Sequence, residues 1–176
     1  MASIIDAIGE DSEREGLVDT PKRVAQMYGE LFSGLAEDPS KVLATGFEEG
    51  DGEMVVLKDI PFSSICEHHL LPFHGSASIG YVPSGRVVGA SKLARALDIL
   101  ARRPQMQERL TGQLADTIFG AIEPDGVVVV LRAEHMCMSV RGVKKPGAKI
   151  VTTATRGIIS TRDATRRDFY SLLTQA

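Results

Sequence analysis

The run Cys66-Glu67-His68-His69 is answered far along the chain by Glu134-His135-Met136-Cys137, and together the two hold both cysteines and three of the four histidines. Thiolates and imidazoles are the donors zinc prefers, and Cys66 and His69 have the short spacing by which one loop places two ligands on one ion. Cys137 supplies a third from a distant segment. Structural zinc is closed by four protein ligands whereas catalytic zinc keeps a position for water, so three ligands and no further cysteine point to catalysis. Glu67, His68 and His135 are then left beside the metal as acid, base or orienting groups. Two cysteines could instead form a disulfide or serve as small buried hydrophobes. Residues 1–9 lack the basic stretch, apolar core and small-residue cleavage site of an export signal, so a cytoplasmic, reducing compartment is expected. Inert buried thiols would leave the flanking histidines without a reason.

Composition bounds the rest. A chain of 176 residues suits one domain, or one domain with a helical appendage, and 43% apolar content is enough for a core. No apolar stretch approaches the length of a bilayer span, so no membrane partner is expected. A net charge of -3, with no strongly basic region or aromatic stacking series, argues against nucleic acid. An anionic ligand must therefore be held by a local cluster. Ser91-Lys92-Leu93-Ala94-Arg95 offers one: Ser91 can cap a helix, and Lys92 and Arg95 share a face near its positive end. Such a pair suits a phosphate or a solvated basic face, and Arg141, Lys144 and Lys145 tilt the reading towards an anion. No Walker-type loop is present.

These residues need elements to position them. Thr20 as cap and Pro21 at the first helical position open a helix whose Val24, Met27, Tyr28, Leu31, Phe32 and Leu35 make one apolar stripe. Residues 46–53, rich in Gly and acids, read as a loop. Strands are expected over 54–60 and 74–82, with the Cys66 run in their connection, then helices over 91–102 and 105–122 separated at Pro104. Strands over 126–140 and 148–156 and a helix over 164–173 complete the chain. The order ββααββ after the first helix predicts an α+β domain, an antiparallel sheet with helices on one face. Its open edges must be covered, which predicts an oligomer. On a strand reaching residue 140, His135, Cys137, Ser139 and Arg141 would point one way and Met136, Met138 and Val140 the other.

Four runs, in this order, resemble GTP cyclohydrolase I: Cys66 to His69, Gly89 to Arg95, Arg103 to Thr111, and His135-Met136-Cys137 to Arg141-Gly142-Val143. The likeness extends from Thr20-Pro21-Lys22-Arg23 to Arg167-Asp168-Phe169. It implies a tunnelling fold over residues 51–176, with residues 1–50 as an N-terminal helical segment, and subunits that close into barrels and stack as a homodecamer. It implies zinc-dependent conversion of GTP and water to 7,8-dihydroneopterin triphosphate and formate, the first step towards tetrahydrofolate and other pterins, with zinc-activated water attacking guanine C8. His135 would donate a proton near N7, and His68 would act as base near the metal, with Glu67 in the same catalytic set. Glu108 would accept hydrogen bonds from guanine N1 and the 2-amino group, with Gln107 beside it. Lys92, Arg95 and Arg141 would hold the triphosphate, Ser91 would lie near the ribose or phosphates, and Arg23 would reach a neighbouring subunit's site. Gln26 stands where some bacterial relatives have lysine. A zinc deaminase would need His-x-Glu and Pro-Cys-x-x-Cys, and the chain has neither. A noncatalytic zinc-stabilised oligomeric scaffold would need a fourth protein ligand from His68, His135 or Glu67.

Overall fold

Residues Val127 to Leu131 are 0 to 8% exposed whichever way their side chains point, so the strand they form is covered on both faces. That requirement organises the computed structural model, which describes residues 1–49 and 52–174. The boundary expected between residues 50 and 51 lies outside the described residues. The chain runs through α1 (Ala2–Ala7), α2 (Thr20–Leu31), a 3-10 turn (Ser33–Ala36), α3 (Pro39–Leu43), β1 (Gly46–Glu48), β2 (Val55–Cys66) and β3 (Pro72–Val82). Then come β4 (Arg86–Val88), α4 (Ala90–Ala101), β5 (Pro104–Gln105), α5 (Gln107–Ile122), β6 (Gly126–His135), α6 (Met136–Ser139), β7 (Lys149–Gly157), α7 (Ile158–Thr161) and α8 (Asp163–Thr174).

The architecture is mixed α+β. Five strands form one sheet in the order β5-β2-β3-β6-β7, antiparallel except for the short parallel pairing of β5 with β2. Leu93, Leu97 and Leu100 of α4 and Leu110, Leu114 and Ile118 of α5 pack on one face with Val127, Val129 and Leu131. The opposite parity, Val128 and Val130, packs with Ile159 and Phe169, so α8 covers the second face that the sequence reading left to solvent. A small separate pairing of β1 with β4 uses part of the segment expected to be a loop.

Strand ends differ from the sequence reading for identifiable reasons. Asp59 adopts φ 58 and the β2–β3 register shifts between Leu57 and Ile60, a bulge that lets β2 continue to Cys66. β6 stops at His135, five residues short of the expected end, because its partner β3 begins at Pro72 and their last pair is Phe73 with His135. With no neighbour beyond that pair, the chain satisfies its own backbone groups by turning helical, and Val140 N–H donates to Met136 C=O at 3.1 Å. The strand-face alignment expected for Cys137, Ser139 and Arg141 therefore does not form. At the helix starts, Asp19 rather than Thr20 is the N-cap of α2, and Gly89 rather than Ser91 is that of α4.

The N-terminal elements dock at the C-terminal end of α4. Gly34 N–H donates to Arg102 C=O at 3.1 Å, and Arg103 donates to Gly34 C=O at 3.0 Å and Glu37 C=O at 2.8 Å. A Cβ at Gly34 would lie 2.0 Å from the Ile99 carbonyl oxygen, so only glycine permits this approach. The apolar stripe of α2, by contrast, has no buried residue.

Gly75 tests the β3–β6 contact on which the site depends. A Cβ there would meet Arg132 C=O at 1.9 Å. Gly75→Ala is expected to destabilise the protein by about 3 kcal/mol, at the upper end of overpacking costs. The measurement is a urea midpoint, expected to fall without a change in slope.

Candidate active site

The end of β2 and the helical turn α6 bring the metal candidates together. Cys66 N–H donates to Leu71 C=O at 2.8 Å and Leu70 N–H to Cys66 C=O at 2.9 Å, closing a tight turn in which Leu70 takes φ 51. β5 fixes that turn from the side, since Cys66 pairs with Gln105 and Glu67 N–H donates to Gln105 C=O at 3.0 Å. Donor atoms of Cys66, His69 and Cys137 all lie within 4.8 Å of one another. Both cysteines are free thiols. Cys66 is buried, Cys137 half-buried and His69 exposed, so the cluster opens on one side. Burial, and then the neighbouring Cys66, push the Cys137 thiol up. Two sulfurs and one imidazole nitrogen form a donor set that suits zinc, and a divalent cation would offset the mutual repulsion of the two thiolates.

Around this cluster the structure places several candidates. His68 Nδ1 lies 3.7 Å from Cys66 Sγ and its ring is exposed. Glu67 receives both arms of the Arg109 guanidinium, one at 3.0 Å, and this pairing holds its carboxyl below the usual range. Glu67 is thus an ionised anchor between the Cys66 turn and α5. His135, 9% exposed, stacks on Phe73 with centroids 4.5 Å apart, and its Nε2 lies 2.8 Å from Gln107 Oε1. Burial lowers its pKa, an effect partly offset by the charge of Glu108, which is exposed nearby. Gln107, expected beside Glu108 at the substrate, is 1% exposed and its amide is directed into the protein. Arg141 donates to His69 Nε2 at 3.0 Å, so the metal and anion candidates touch.

The anion candidates of α4 start from the opposite end of the sheet. The N-terminal end of α4 follows β4, whose Val88 N–H donates to Tyr81 Oη at 3.1 Å near the far end of β3. Its C-terminal end meets the metal end of β2, where Ser64 Oγ donates to Ala101 C=O at 2.7 Å. The 12 residues of α4 span roughly 17 Å at about 1.5 Å per residue, which places Ser91 and Lys92 at the end away from Cys66 and Arg95 about halfway along. Arg23 is engaged locally, 3.7 Å from the Asp19 carboxylate and 3.1 Å from Gly16 C=O.

Three contributors had no role in the sequence reading. Phe73 and Glu134 become visible only through the β3–β6 register, and Arg109 only through its reach to Glu67. Glu134 Oε1 accepts from Ser139 Oγ at 2.6 Å and from Gly147 N–H at 2.9 Å, tying together both ends of the loop that carries Arg141.

Among the described residues no helix is long and apolar enough to cross a membrane. The family model described as GTP cyclohydrolase I matches residues 1–174. A curated protein from Dehalococcoides mccartyi named GTP cyclohydrolase 1 is 59% identical, over 96% of this chain and 90% of its own length. One of the same name from Geobacillus kaustophilus is also 59% identical, over 97% of this chain and 91% of its own. The solved apo structure of the archaeosine synthase QueF-Like overlaps 60% of this chain and 95% of its own at 21% identity, with a TM-score of 0.49.

Ser139 Oγ–H and the Gly147 N–H hold the Glu134 carboxyl below the usual range. A carboxyl with a lowered folded pKa contributes stability above its ordinary value and loses it as pH falls through the folded one. Protection of the Gly147 amide from hydrogen exchange is expected to fall from about pH 4.5 downwards. In Glu134→Gln that dependence is expected to be absent, and an unchanged profile would refute the tie.

Proposed function

The chain belongs to the GTP cyclohydrolase I family and is a hydrolase of that type, and from this premise we propose how its residues convert GTP and water to 7,8-dihydroneopterin triphosphate and formate. The observation that carries the reading is the convergence of Cys66, His69 and Cys137 beside two histidines of contrasting environment. These three residues would hold zinc, which supplies Lewis acidity that makes water nucleophilic near neutral pH. Attack falls on the electron-poor C8 of guanine. His68, exposed beside Cys66, is suited to take a proton from water, and His135, in a fixed and shielded position, to exchange one near N7. Glu108 reads the base: its exposed carboxylate accepts from N1 and the 2-amino group, and adenine would leave that charge unpaired.

Arg141 meets the triphosphate on the metal side. Ser91 and Lys92 lie at the other end of α4 with Arg95 near its middle, and this separation supports a site completed by a second subunit, with Arg23 reaching across in the same way. Two further features support assembly: β7 ends the sheet with no outer strand among the described residues, and the α2 stripe is only partly covered. The assembly is the tunnelling-fold homodecamer, built from a 51–176 domain with a 1–50 helical segment, acting in the cytoplasm.

Incubation of the zinc-loaded protein with GTP is expected to give formate and, after oxidation, neopterin fluorescence. A folded, zinc-bound oligomer yielding neither would leave the noncatalytic scaffold. Cys66→Ser and Cys137→Ser are expected to lose zinc and activity together. His135→Ala is expected to keep zinc and lose about 10²- to 10⁴-fold in rate, and equal zinc loss in metal analysis would sink its assignment to proton transfer.

A further inference from the structure

Gln107 is the first residue of α5, yet its side chain makes a closed set of contacts inside the protein. Its Nε2 donates to Leu131 C=O at 3.2 Å, to Ile150 C=O at 3.0 Å and to Thr152 Oγ1 at 3.1 Å. Two of those partners are carbonyls, which only accept, so the amide cannot turn over without setting oxygen against oxygen. The hydroxyls agree with this direction. Thr111 Oγ1 donates to Gln107 C=O at 2.6 Å, so the 2.6 Å contact between Thr111 and Thr152 uses the Thr152 proton. Thr152 Oγ1 is then free to accept from the amide. The two amide hydrogens are shared among these three acceptors, and the remaining atom, Gln107 Oε1, faces His135 Nε2 at 2.8 Å.

We propose that Gln107 is a positioning residue that holds His135 as the Nε2–H tautomer, so that all proton exchange by this histidine takes place at Nδ1. Phe73, stacked at 4.5 Å with an interplanar angle of 4°, fixes the plane of the ring, and Gln107 fixes its rotation and its proton. Nδ1 has no hydrogen-bond partner among the described residues. A proton taken up at Nδ1 from water or substrate is returned from Nδ1. The Nε2 proton stays in place, because an amide oxygen accepts its hydrogen bond without taking the proton onward. The role rests on the cyclohydrolase reading of the site, but the tautomer does not. Because the oxygens that orient Gln107 include Ile150 and Thr152 of β7, the setting of His135 depends on that edge strand.

The test begins with nitrogen-15 NMR of the zinc-loaded, histidine-labelled protein without substrate, with His135 assigned by its loss in His135→Asn. A protonated Nε2 and a bare Nδ1 are expected in the neutral ring, and the reverse tautomer would overturn the proposal. Gln107→Met keeps the size of the side chain and removes the acceptor. It is expected to give a mixture of tautomers, unchanged zinc content, and a kcat for GTP lower by about 10- to 100-fold with KM within about threefold. A raised KM with unchanged kcat would instead make Gln107 a direct substrate contact and overturn the role. Wild-type protein that does not turn over GTP would defeat the cyclohydrolase reading and leave the tautomer to be decided by its own spectrum. Should Gln107→Met fail to fold, the wild-type tautomer alone decides.

Discussion

The antiparallel ladder between β3 and β6 sets the distances on which the site relies. Its parity places Val127, Val129, Leu131 and Ala133 towards α4 and α5, and His135 is the next position on the same face. A slip of one residue would bury Glu134 and turn His135 to the opposite side, exchanging the whole apolar set at the same time. The hydrophobic core thus decides which way the histidine points. Where β3 ends, at Pro72, β6 loses its partner, and the helical turn that follows brings Cys137 back towards Cys66. Core packing, strand termination and donor convergence are three results of one register.

Two carboxylates near the cluster, Glu67 and Glu134, serve as ties. Glu67 joins the Cys66 turn to α5 through Arg109, and Glu134 joins Ser139 to Gly147 across the loop carrying Arg141. Each of the two segments that supply metal donors is therefore held by an ionised group with well-placed partners. Holding donors before an ion arrives limits the ordering cost of binding it, which is the usual work of groups behind a metal's own ligands.

Much of this was legible in the residues. Ligand chemistry is carried by residue type and spacing, so Cys66, His69 and Cys137 could be chosen without a fold, and the periodicity of Leu93, Leu97, Leu110 and Leu114 located the two central helices. The end of β6 was not legible, because it depends on where a strand some sixty residues earlier begins, a fact no local window contains. Asp59 hid the continuation of β2 for a different reason: this bulge takes a positive φ at a residue type that is as common in turns and loops, so it reads as the end of a strand. Gln107 adjoins Glu108 in sequence, and helical spacing puts it on the stripe of Leu110, Leu114 and Ile118, all buried. Neighbours in sequence on a helix face different ways, and here one faces the solvent while the other faces the core.

The metal donors stand at the two ends of most of the domain. Between Cys66 and Cys137 lie β3, α4, α5 and β6, so an ion bridging the two thiolates closes a loop of roughly seventy residues. A covalent cross-link over such a loop removes about 4 kcal/mol of chain entropy from the unfolded state on the entropic account. An ion at this position would act as a reversible staple whose hold grows with its free concentration. Scarcity of the metal would then be felt twice, in the chemistry of the site and in the lifetime of the folded chain.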